Sequence, residues 1–199
     1  MPSTGEKGSS RAKALLPLFV LSLLAAPVEY IAHEGAHYLA ARLFGANATL
    51  HFDRVSLGGG ARLGPWESLA FTAAGPLADW AVGVAALLLL VRRYTPLRLV
   101  FAIWLARPLQ FLPALLGIDL SPLGFGADLR FTDEAVLARA VGLSPQVFIW
   151  LETAVAAPLL AEIVVLIPPP SRLAVLATLT LGVFTGWAAW LALGQYVLP

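Results

Sequence analysis

Apolar residues dominate five stretches of this chain, residues 14–44, 68–91, 97–118, 146–167 and 173–198, separated by polar or Pro- and Gly-rich segments. A helix needs roughly 20 apolar residues to cross the ~30 Å hydrocarbon core of a bilayer, so the pattern predicts five transmembrane helices. The first stretch follows a polar, basic leader, residues 1–13, carrying Lys7, Arg11 and Lys13. It is too long for the hydrophobic region of a cleaved signal peptide, so residues 14–199 are expected to form one membrane domain behind that leader.

Two intervening segments have character of their own. Residues 46–67 alternate in the manner of strands over Thr49-Leu50-His51-Phe52 and Arg54-Val55-Ser56-Leu57, and Gly58-Gly59-Gly60 supplies a turn before Ala61-Arg62-Leu63. This predicts a short membrane-associated β-hairpin between helices one and two. Residues 119–144 gather Asp119, Asp128, Asp133 and Glu134. There Thr132 or Asp133 can cap a short helix over residues 134–141 that Gly142 ends. Pro168-Pro169-Pro170 cannot continue a helix and makes the last two spans antiparallel neighbours. The expected fold class is an all-α polytopic membrane protein of about five helices with that one hairpin.

Composition narrows the chemistry. Of 199 residues 59% are hydrophobic and 13% charged, and the formal net charge of +1 offers no basic surface for nucleic acid. With no cysteine there can be no disulfide, iron–sulfur cluster or thiol nucleophile, so any metal must be held by His, Asp or Glu. Seven Lys and Arg flank the spans on the N-terminal side of the membrane against four on the other, which favours a cytoplasmic N-terminus in a multi-pass protein of the cell membrane.

Inside the first span the chain reads Glu29-Tyr30-Ile31-Ala32-His33-Glu34-Gly35-Ala36-His37, an H-E-x-x-H pattern. His33 and His37 are one helical turn apart, so both imidazoles leave one face and can share a tetrahedral Zn²⁺. Glu34 is rotated about 100° from His33 and sits beside such an ion, where a general base for an activated water belongs. Burying two His and a Glu in a membrane span costs several kcal/mol unless they are paired or ligated, which favours a metal site over incidental polar residues. Hydrolytic zinc takes a third protein ligand. Asp133, Asp128, Asp119, Asp79, Glu29 and His51 are the candidates. Glu29, four residues before His33, suits an imidazole N–H acceptor or a partner for Arg107. His51 suits the interface, and Asp79 suits a pair with Arg107. Glu152 and Glu162 are expected to face the bundle interior or a water-filled cleft.

The H-E-x-x-H pattern followed one span later by Ala74-Gly75-Pro76-Leu77-Ala78-Asp79 resembles the site-2 protease family of intramembrane zinc metallopeptidases, over roughly residues 14–142. The resemblance implies cleavage of a transmembrane protein substrate, with Glu34 catalytic and His33 and His37 on zinc. It further implies that Gly75, Pro76 and Asp79 support a ligand or position substrate, Asp79 standing where the family has Asn. The family's third ligand is an Asp in a Leu-Asp-Gly motif, which this chain lacks. Asp133-Glu134-Ala135-Val136-Leu137 best matches its local form, an Asp opening a helix, with Asp128 as the alternative. Related enzymes have strand structure where this chain has residues 46–67, able to hold substrate extended. They also place the metal toward the cytosol, which opposes the orientation read from the charges. The competing expectations are a metal-binding membrane protein without protease activity and a small transporter.

Overall fold

A computed structural model describes residues 4–59, 62–118, 129 and 132–198. The chain is an all-α polytopic protein in which five helical segments are long and apolar enough to cross a membrane: Leu15–Leu43, Pro65–Arg92, Pro96–Leu115, Pro145–Leu166 and Pro169–Tyr196. Helix α1, Thr4–Leu43, is continuous from the leader into the first span and carries Pro17 and Pro27 inside it. Strands β1, Ala48–Leu50, and β2, Val55–Leu57, pair antiparallel with Thr49 opposite Ser56, and a bond from His51 N to Arg54 O (2.8 Å) closes the turn between them. Gly59 follows β2 with φ +67°, a turn conformation that favours glycine. Its neighbours Gly60 and Ala61 lie outside the described residues.

Helices α2 (Pro65–Arg92), α3 (Pro96–Ala102) and α6 (Pro145–Leu166) each open on a proline, whose fixed φ suits the first helical position and whose missing N–H is no loss there. The third span is broken. After α3 it runs as a 3₁₀ segment, Ile103–Phe111, then as α4, Leu112–Leu115. Pro108 and Pro113 remove donors in this stretch, and 3₁₀ runs of such length are uncommon. Helix α5, Asp133–Ala140, follows, and α7, Arg172–Leu193, ends the bundle.

Among the described residues, the larger of two apolar clusters draws on all five spans, and the smaller, Ala41, Ala46 and Ala48, lies where α1 meets the hairpin. Leu18 and Ala25 of α1, Leu87 and Leu90 of α2, Leu99 and Val100 of α3, Ile163 and Ile167 of α6, and Val175 and Leu179 of α7 meet in the larger cluster. The triproline turn does bring the ends of α6 and α7 into this one cluster, but they are not neighbours along their lengths: α7 lies mainly along α1, and α6 against the 3₁₀ segment and α5. The α1–α7 approach depends on Gly182 and Gly186, where an added Cβ would press on the backbone of Phe19 and Leu23. Outward, Leu16, Val20, Leu24, Val28 and Ile31 form an exposed apolar stripe along α1, a surface suited to lipid rather than water.

Candidate metal centre

Between the two apolar clusters, α1 and α2 run antiparallel, and His37 meets Phe71 where His33 meets Asp79. The shared face of His33 and His37 is turned inward, leaving the two residues 3% and 4% exposed. Their rings stand edge to face with centroids 4.8 Å apart.

The hydrogen-bond partners decide where each ring carries its proton. His37 Nδ1 is 2.6 Å from the carbonyl of Phe71, which can only accept, so Nδ1 is the donor and Nε2 keeps its lone pair. His33 Nδ1 is 2.8 Å from both Asp79 Oδ2 and Arg107 Nη1; of these only the carboxylate can accept, and a ring that donates to it keeps the lone pair on Nε2. The two Nε2 atoms are 3.1 Å apart, and Asp133 Oδ2 is 3.1 Å from each. Three acceptors therefore face one another in a triangle. A tetrahedral ion with bonds of about 2.0 Å holds its ligand atoms about 3.3 Å apart, so this triangle is close to one face of such a site. His33, His37 and Asp133 can hold a metal ion.

The surroundings explain how the chain brings them together. Gly75 faces the imidazoles: a Cβ there would fall 2.5 Å from His33 Nε2 and closer still to His37 Nε2, so only glycine leaves room for both rings. Pro76 beside it cannot donate to the Thr72 carbonyl, loosening α2 near the turn whose Phe71 carbonyl reaches His37. Asp133 is delivered by α5. Thr132 caps that helix by accepting from Ala135 N (3.2 Å), and Ala135 and Ala138, both 0% exposed, let it pack closely. Glu34 lies half-buried on α1, within electrostatic reach of His33, His37 and Asp133.

Asp133 thus joins the two histidines, while Asp128 and Asp119 lie outside the described residues. Asp79 supports His33 and is paired with Arg107 at once, Nη1 to Oδ2 being 2.5 Å, so the two expected roles coexist. Glu29 takes neither expected part, because Asp79 and the Phe71 carbonyl are the imidazole acceptors and no ion pair reaches Glu29 among the described residues. His51 stays on the hairpin, with Nε2 2.8 Å from Ser56 Oγ. Glu152 lies near Glu134 and Arg107, whereas Glu162 is exposed on α6, outside the interior expected for it. The Phe71 carbonyl has no signature in residue type. The place of Arg107 beside His33 does have one: an arginine inside an apolar span.

No protein-family model, curated protein or solved structure matches this chain.

Proposed function

We propose that this protein is an intramembrane zinc metalloprotease that hydrolyses a peptide bond in or near a transmembrane segment of another protein. The observation that supports it most is the triangle of His33 Nε2, His37 Nε2 and Asp133 Oδ2, each 3.1 Å from the others, with the Glu34 carboxylate on the residue after His33. Two neutral imidazoles and a carboxylate are a zinc donor set, and a zinc ion held by them would supply Lewis acidity and make a nearby water easier to deprotonate.

The chain's own residues do the rest. Glu34 takes a proton from the attacking water as the new C–O bond forms, then gives it to the nitrogen as the C–N bond breaks. Asp79 and the Phe71 carbonyl hold the imidazoles in the ligating tautomer throughout. A substrate helix hides its carbonyls in internal hydrogen bonds and must unwind before cleavage. The β1–β2 hairpin, which directly follows the metal-binding helix, offers strand edges for the extended chain. The resemblance to site-2 proteases implies the same parts for Glu34, Asp79 and the hairpin.

The test compares wild type with Glu34→Gln for cleavage of single-span reporter proteins in liposomes, with zinc measured in both. Cleavage lost by 100-fold or more while zinc is retained is the expected result. Equal cleavage by the two proteins would remove Glu34 from the mechanism. Ion flux that survives the substitution, without cleavage in wild type, would replace the protease with a transporter.

A further inference from the structure

Arg107 lies in the 3₁₀ segment of the third span with its guanidinium against the metal centre. Its three nitrogens have different surroundings. Nη1 is held by Asp79 Oδ2 at 2.5 Å and lies 2.8 Å from His33 Nδ1. Nε faces Glu134 Oε1 at 3.8 Å, an ion pair too long for a hydrogen bond. Nη2 is 3.3 Å from His33 Nε2, so the guanidinium spans the two ring nitrogens. One guanidinium cannot donate to both in-plane lone pairs of an imidazole, so the Nη2 hydrogens are not committed to Nε2 and stay available to a group beside the ligand triangle.

A partner for Asp79 alone would need only Nη1. Placing a permanent cation 3.3 Å from a metal-ligating nitrogen repels a divalent ion, so the arrangement is unfavourable for metal binding as such. It becomes favourable when negative charge arrives. Hydrolysis of a peptide bond develops that charge on the carbonyl oxygen, next to the metal. Asp79 and Glu134 fix the guanidinium in advance, and a fixed donor in a water-poor site costs no reorganisation as the charge appears. The Arg107 side chain is 21% exposed, so it is not sealed from an incoming group.

We propose that Arg107 is a catalytic residue: through Nη2 it binds the scissile carbonyl oxygen as that oxygen becomes negative. The assignment rests on the protease reading, so its test includes a binding measurement that needs no cleavage.

Arg107→Met and Arg107→Lys are compared with wild type in three ways: zinc affinity, inorganic phosphate titrated onto the cobalt-substituted protein by its visible absorption, and kcat and KM on a reporter. For Arg107→Met the expected results are zinc affinity equal to wild type or tighter, phosphate affinity at least tenfold weaker, and kcat down about 10²–10³-fold with KM little changed. Arg107→Lys should fall between, because one ammonium cannot hold Asp79 and reach the oxygen together. Unchanged phosphate affinity and kcat in Arg107→Met would overturn the proposal. So would weakened zinc binding in folded protein, since Arg107 would then be organising the ligands. If Arg107→Met does not fold, the lysine variant decides, and phosphate affinity equal to wild type overturns the assignment. Wild type that binds zinc and phosphate but cleaves nothing would sink the protease reading and leave the phosphate comparison to judge Arg107.

Discussion

At the residue scale the centre is set by side chains that touch no metal. His33 and His37 can both turn Nε2 inward only because Asp79 and the Phe71 carbonyl take their Nδ1 protons and because Gly75 presents no Cβ to the rings. Gly75→Ala tests this role. Alanine is favoured over glycine in a helix by roughly 0.5–1 kcal/mol, but here its Cβ must displace two buried, hydrogen-bonded rings, an overpacking cost of about 1–3 kcal/mol. Zinc affinity should drop at least tenfold and the metal-free melting temperature should fall modestly, as read by chelator competition and thermal melting. Wild-type zinc affinity in this variant would show that the rings do not depend on the space. The two histidines and Asp133 were legible in the sequence because H-E-x-x-H in an apolar span is a chemical pattern, and an Asp at a helix start is a local one. The Phe71 carbonyl was not, since a backbone acceptor is the same in every residue type.

At the scale of elements, helix α7 shows what hydropathy leaves out. Its length and position were readable from an uninterrupted apolar run, but its main partner was not, because lipid tails and leucines attract one another about equally and apolarity does not choose a neighbour. The choice is made by Gly182 and Gly186, four residues apart, which let α7 approach the α1 backbone at Phe19 and Leu23. Trp187 then bonds the Tyr30 hydroxyl, and Trp190 Nε1 donates to Phe52 O at 3.0 Å, tying the hairpin to the same helix. Gly186→Val should therefore destabilise the fold by about 1–3 kcal/mol, seen as a lower melting temperature in detergent, because the Leu23 carbonyl has nowhere to move. No change in melting would mean that the two helices are not held at this contact. The third span carries a similar lesson. Its apolar length was plain, whereas its break into α3, a 3₁₀ segment and α4 depends on prolines acting within a crowded bundle.

Across the whole molecule, the polar interior lies between two apolar ones along α1. Leu90, Leu99, Leu105 and Leu179 fill the larger with hydrocarbon, Ala41, Ala46 and Ala48 the smaller, and between them His33 and His37 gather Asp79, Arg107, Asp133 and Glu134. Charges so placed are costly in a membrane unless they compensate one another or hold an ion. This distribution was visible in the sequence as ionisable residues inside apolar spans. Their convergence was not, since Asp133 lies 96 residues beyond His37 and reaches it only through the packing of α5 on α2 and α6. The most direct test of the account is the zinc content of purified wild type beside His37→Ala and Asp133→Ala, with folding checked by melting. It predicts about one zinc per wild-type chain, lost in both variants. Zinc retained at the wild-type level by folded Asp133→Ala, or absent from wild type supplied with the metal, would contradict it.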